Sequence, residues 1–202
     1  MIIVHHLDYS RSTRVLWLLE ELGLEYDLVR YRRNVGGPAP VDLKNIHPLG
    51  KSPVIVDGDL VLAESSAILR YIDRQYGNLR FTPTEEIARA VHDEWIDYVE
   101  GSLALPVLTT LVGGDQLPPE IAAKMTGGLP RDWQHVGDAV TPGPYLFGDQ
   151  LTLADMQMSY IGAIAAASGM LDTHPAVKNY LANLLKLPAL QRALLKGGPM
   201  TS

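Results

Sequence analysis

Not one cysteine occurs in the 202 residues. That absence excludes disulfides, thiolate metal sites and a protein-thiol nucleophile, so any sulfur chemistry must arrive with a ligand. Cations are also in deficit: 17 Lys and Arg stand against 23 Asp and Glu, a formal net charge of -6. With no basic stripe to meet phosphates, neither nucleic acid nor an anionic membrane is an expected partner. Long apolar runs are missing as well. No segment reaches the roughly eighteen uninterrupted apolar residues of a spanning helix. The opening Met1-Ile2-Ile3-Val4-His5-His6 is too short, and too polar at its end, for a signal-peptide core. A cytoplasmic protein is expected. What the chain does have is 47% hydrophobic residues, enough to build the core of one large domain or two small ones.

Met1 to Leu7 and Glu25 to Arg32 read as strands. Between them Val15, Leu16, Leu18, Leu19 and Leu22 recur at helical spacing, and Gly23 is placed to end the helix. After a loop at Gly36-Gly37-Pro38-Ala39-Pro40, a short helical stretch from Val41 to Ile46 is expected. Val54-Ile55-Val56 and Leu60-Val61-Leu62 flank Asp57-Gly58-Asp59, a hairpin signal, and Glu64 to Tyr76 closes the half as a helix. Beyond Gly77-Asn78 strand signals stop. Glu85 to Val112 reads as one long helix with Ile87, Val91, Trp95, Tyr98, Val99 and Leu103 on its apolar stripe and a kink at Pro106. Gly113-Gly114, Gly127-Gly128 and Thr141-Pro142-Gly143-Pro144 punctuate short helices up to Val140. Thr152-Leu153-Ala154-Asp155 has the reciprocal logic of a capping box, with Asp in place of Glu or Gln, and opens a helix to about Ser168. Pro175 and Pro188 open the last two helices.

Three short segments carry chemistry. In Leu49-Gly50-Lys51-Ser52-Pro53-Val54 a proline directly precedes a strand, which by itself marks only a strand edge, and Lys51 alone would be a solvated cation. In Ala63-Glu64-Ser65-Ser66-Ala67-Ile68, at a strand-to-helix junction, Ser65 can cap the helix and Glu64 suits its dipole. The same place can bind a carboxylate on backbone amides and Ser65, with Glu64 offered to an ammonium. Tyr9-Ser10-Arg11-Ser12-Thr13-Arg14 joins the first strand to the first helix. Ser10 or Ser12 can cap that helix, with the arginines solvated. Alternatively, a thiol at a helix N-terminus beside a hydroxyl donor has its thiolate stabilised, its pKa drawn from about 8.5 toward neutrality. His5 and His6 point to opposite faces of a strand and make a poor metal pair, so no metal is expected. His92 and His135 read as solvated, and Trp95, Tyr98 and Ser102 as core before ligand contact.

The order β-α-β, loop, hairpin, helix and then an all-helical half, with Gly50-Lys51-Ser52-Pro53 and Glu64-Ser65 at this short spacing, resembles the cytosolic glutathione transferase family. The resemblance covers nearly the whole chain and is weakest from about Gly113 to Pro142. It implies an α/β thioredoxin-like domain over 1–77 with a mixed four-stranded sheet, a linker at 78–84 and an all-α bundle over 85–202 on the acceptor side. It implies a cis Pro53, with the Ser52 backbone pairing with the cysteinyl backbone of glutathione, and Lys51 near the glycyl carboxylate. Glu64 and Ser65 would hold the γ-glutamyl end. Alignment on Arg14-Val15 gives Ser10 as the serine-type donor to the sulfur and Ser12 as a cap, while the Tyr9 phenol is the rival donor. A chain without cysteine departs from the thiol-exchange branches. Glutathione as co-substrate, a small hydrophobic electrophile or a peroxide as acceptor, and a homodimer are further implications. A non-catalytic ligand-binding or interaction protein on the same fold is the alternative.

Overall fold

A computed structural model of the chain describes residues 1–33, 37, 39–112 and 116–201. Gly36 and Pro38 of the expected loop, and the Gly113-Gly114 break, lie outside the described residues. The chain divides into two compact units, Met1–Arg80 with Leu185–Ser202, and Phe81–Leu184.

In the first unit β1 (Ile2–Leu7), β2 (Tyr26–Tyr31), β3 (Val54–Asp57) and β4 (Leu60–Ala63) form one sheet in the order β2-β1-β3-β4. β1 runs parallel to β2, with Val4 opposite Leu28, and antiparallel to β3, with Val4 opposite Ile55. As the strand covered on both sides, β1 buries nearly every residue, including His5 and His6. Gly58, at φ 58°, supplies the turn of the β3–β4 hairpin. α1 (Thr13–Leu22) ends at Gly23, whose left-handed φ of 64° suits a residue with no Cβ. α2 (Ser65–Gln75) turns Ile68, Leu69 and Ile72 inward and is tied to the hairpin through Tyr71, whose hydroxyl donates to Asp57 at 2.8 Å. A single 3₁₀ turn at Val41–Asn45 precedes β3.

The last helix, α9 (Pro188–Gly197), packs on α1 in this first unit. This differs from the expected all-helical domain over 85–202. Glu20 of α1 receives Arg192 Nε at 3.0 Å and Lys196 Nζ at 2.5 Å, so long-range ion pairs and apolar burial draw the C-terminal segment to the N-terminal sheet unit.

The second unit is helical: α3 (Glu86–Tyr98), α4 (Ala104–Val112), α5 (Pro119–Thr126), α6 (Leu129–Val140), α7 (Leu153–Ala167) and α8 (Pro175–Leu184). The expected single helix to Val112 is interrupted by a widened π turn at Val99–Leu103, closed by the Ala104 N–H donating to the Val99 carbonyl. Pro106, two residues on, has no N–H and would crowd the carbonyl four residues back, and the wide turn accommodates both. The inward stripe is also shifted: His92, Trp95, Ile96, Val99 and Leu103 are buried, whereas Ile87 and Val91 face solvent. His92 is therefore not solvated. It is fully buried against the Phe147 ring, and His135 stacks on Trp95 at 4.7 Å. The capping box is present at α7, where the buried Asp155 accepts the Thr152 N–H at 2.8 Å. No helix among the described residues is long and apolar enough to cross a membrane.

Candidate functional site

The residues singled out from the sequence lie at the ends of β1, α1, β3 and α2, all in the first unit. The strand-to-helix turn after β1 bends sharply at Tyr9, whose φ of 53° is unusual for a residue with a side chain. The bend carries Ser10 inward, leaving it 5% exposed. Its hydroxyl lies 2.7 Å from the Leu7 carbonyl and 2.7 Å from Ser12 Oγ. Ser12, expected as the helix cap, makes no capping bond with its side chain. Its hydroxyl turns back to β1 instead, 2.8 Å from His6 Nδ1, and accepts the Leu7 N–H at 3.3 Å.

The Ser52–Pro53 peptide is cis. The Ser52 hydroxyl donates to the His5 carbonyl at 2.8 Å and accepts the Leu7 N–H at 3.1 Å. Ser10 and Ser52 are thus both anchored on Leu7, the last residue of β1. Lys51, just before this anchor, is exposed.

The N-terminus of α2 is built in a similar way. Glu64 sits at φ 70°, ψ 118°, a strained conformation for glutamate that a surrounding structure must enforce, and its side chain is exposed. Ser65 is buried, and its hydroxyl accepts a hydrogen bond at 3.0 Å from Arg14 Nη1. From the sequence Arg14 reads as solvated where Ser10 or Ser12 is only a cap, and otherwise serves for alignment. In the structure its guanidinium is fully buried, one hydroxyl away from the helix start where a carboxylate would bind. Arg14 stands in the first turn of a helix that buries every residue from Thr13 to Glu20, a burial no local sequence signal announces. From the sequence His6 enters only beside His5, as half of a poor metal pair. Among the described residues no group of three or more His, Asp or Glu side chains could hold a metal ion.

Electrostatically the base of the site is mixed. Burial pushes the His6 imidazole below its ordinary value, while the Gly197 carbonyl and Asp8 act the other way and Arg30 adds to the lowering. His5 is lowered by burial, and its Nδ1 lies 2.9 Å from the Tyr31 hydroxyl. The N-terminus of α2 and the buried Arg14 guanidinium are groups of the kind that favour an anion, Lys51 is an exposed cation, and Ser10 supplies a hydroxyl near the start of α1.

The family model described as the N-terminal domain of glutathione S-transferase matches residues 1–74. Glutathione S-transferase 3 of Schizosaccharomyces pombe is 34% identical over 79% of this chain and 72% of that protein. Glutathione S-transferase 1 of Triticum aestivum is 30% identical over 93% of this chain and 90% of its own length. Among solved structures, a glutathione S-transferase from Actinobacillus pleuropneumoniae superposes with a TM-score of 0.90 at 34% identity, covering 98% of this chain and 93% of the other. The match therefore reaches from the sheet unit through the helical one, and the chain belongs to the glutathione S-transferase family.

Proposed function

We propose that this protein is a serine-type glutathione transferase. The observation that carries the reading is the shared anchoring of Ser10 and Ser52 on Leu7, with Ser65 joined to α1 through Arg14. Glutathione lies along these ends. Its γ-glutamyl carboxylate sits at the N-terminus of α2 on Ser65, above the buried Arg14 charge, and Glu64 meets the ammonium. The Ser52 backbone pairs with the cysteinyl backbone as an added strand would, and Lys51 approaches the glycyl carboxylate. Ser10 then donates to the sulfur, and the thiolate adds to a small hydrophobic electrophile or reduces a peroxide. Thiolate stabilisation and proximity supply the catalysis. Several relatives carry transferase names, which supports activity beyond the shared fold.

We also propose a homodimer. Exposed apolar residues, Ile87 and Val91 on α3 and Leu60 and Val61 on β4, support it, since such side chains gain by being covered. Sedimentation would show a single chain if it is wrong.

One feature favours the binding-module alternative: the Ser10 hydroxyl is nearly buried and already has two acceptors at 2.7 Å. Turnover against a panel of electrophiles and a hydroperoxide decides between them. The enzyme reading expects Ser10→Ala to lower kcat by about 100-fold and Tyr9→Phe to leave it nearly unchanged. The reverse pattern would move the donor to Tyr9, and flat assays with glutathione still bound would favour the module.

A further inference from the structure

Behind Ser10 runs a buried chain of three polar side chains. Ser10 Oγ is 2.7 Å from Ser12 Oγ, and Ser12 Oγ is 2.8 Å from His6 Nδ1. At the far end His6 Nε2 lies 2.8 Å from the carbonyl oxygen of Gly197. A carbonyl only accepts, so Nε2 carries a proton and the neutral ring presents a bare Nδ1. The proton direction follows link by link. Because Nδ1 is bare, Ser12 must donate across the 2.8 Å contact to it, and with its one proton so used it can only accept from Ser10. Ser10, which accepts the Ser12 N–H at 3.3 Å and turns its own proton inward to Ser12 Oγ or the Leu7 carbonyl, has one lone pair left for an arriving S–H.

The far end is purpose-shaped. A Cβ on Gly197 would fall 2.9 Å from His6 Cε1 and 2.6 Å from Leu16 Cδ1, so only glycine lets the ring reach this carbonyl. Gly197 closes α9, and the negative end of a helix favours a protonated imidazole. The charged groups bearing on the ring are Asp8, at the end of β1, which favours the cation, and Arg30 of β2, which opposes it and is paired to Asp8 at 2.6 Å. Burial also opposes the cation.

We propose that His6 and Ser12 are positioning residues that form a proton relay behind Ser10, taking the glutathione thiol proton inward to His6 Nδ1. The inference rests on the reading of Ser10 as the group facing the sulfur. The S–H bond breaks as its proton bonds to Ser10 Oγ. The former Ser10 proton passes to Ser12 Oγ, and the former Ser12 proton passes to His6 Nδ1. Each hydroxyl gains and loses one proton, and the products are a thiolate and an imidazolium. The reversed chain leaves the Ser10 O–H donating to the thiolate. When the thioether departs, the proton returns along the same path to water. The relay thereby turns an inward-facing hydroxyl, poorly disposed to stabilise an anion, into a donor at the moment the anion forms.

Imidazole ¹⁵N NMR of the full-length protein, titrated with glutathione while thiolate absorbance is read on the same sample, tests this directly. A His6→Gln sample assigns the resonance. The relay expects His6 Nδ1 to pass from bare to protonated as thiolate appears. Thiolate formation with Nδ1 still bare would overturn the relay and leave the Ser10 reading standing, whereas no thiolate at all would remove both. Two variants separate proton uptake from mere support. His6→Asn keeps an acceptor beside Ser12, and His6→Gln keeps a donor toward Gly197, but neither can take up a proton. Both are expected to lose the lowered thiol pKa and about 100-fold in kcat with little change in KM for glutathione. A lowered thiol pKa retained in either variant would contradict the relay.

Discussion

Ser65 reads from the sequence both as a helix cap and as a binding group, and we propose the second role for it. At the first position of α2 its buried hydroxyl accepts from Arg14 at 3.0 Å, which places it at the helix start where the proposed γ-glutamyl carboxylate would sit. Ser65→Ala is expected to raise KM for glutathione about tenfold, the loss of one charge-assisted hydrogen bond, with a smaller effect on kcat. An unchanged KM would separate Ser65 from the ligand. Most of these residues were legible as types at positions: Ser52 before its proline, Glu64-Ser65 at the strand-to-helix junction, Ser10 after the first strand. Their partners were not. Nothing local distinguishes a buried Arg14 from a solvated one, or says that Ser12 turns to His6 and not to its own helix. Those outcomes depend on which strand or helix lies alongside, 51 residues away in the case of Arg14 and Ser65.

At the scale of the element, Asp155 organises the start of α7. One carboxylate oxygen takes the Thr152 N–H at 2.8 Å and the Thr152 hydroxyl at 3.0 Å, and the other takes the Leu146 N–H and the Tyr180 hydroxyl, each at 2.9 Å. The carboxylate thus joins the preceding loop, the cap and α8 at one buried point. Asp155→Asn must turn an NH₂ toward one pair of these donors, costing about 2 kcal/mol and lowering Tm by several degrees. An unaltered Tm would show that the network contributes little. Thr152 and Asp155 were readable because a capping box spans four residues. The widened turn at Val99–Leu103 was not, because Pro106 announces a disturbance without saying whether the chain kinks or adds a residue to the turn before it. The shift of the α3 stripe toward His92 and Ile96 follows the neighbours of the helix, which a periodicity does not name.

For the whole molecule, the C-terminal segment matters most. Arg192 and Lys196 reach Glu20 across 172 and 176 residues, joining α9 to α1. A boundary drawn from composition puts all late helices in one domain, since helix follows helix without a break, and only the long-range ion pairs and the packing on α1 return α9 to the sheet unit. Burial of Glu20 opposes its ionisation, but hydrogen bonds from Lys196, Tyr26 and Arg192 outweigh it and hold the carboxyl below its ordinary 4.5. The sign follows: the depressed value contributes stability fully present above 4.5 and lost as pH falls through the lower folded value. Tm should be flat toward mild acid and then drop, and Glu20→Gln should start lower and show a shallower acid drop. An acid profile identical to that of the unaltered protein would remove Glu20 from the account.

The proposed chemistry turns on Ser10 holding the sulfur of glutathione as a thiolate. The ultraviolet absorbance of bound thiolate, titrated through neutral pH in the unaltered protein and in Ser10→Ala, measures that claim most directly. A thiol pKa drawn down from about 8.5 in the unaltered protein and restored in the variant is expected. A thiol that ionises identically in both, or never below its free value, would contradict it.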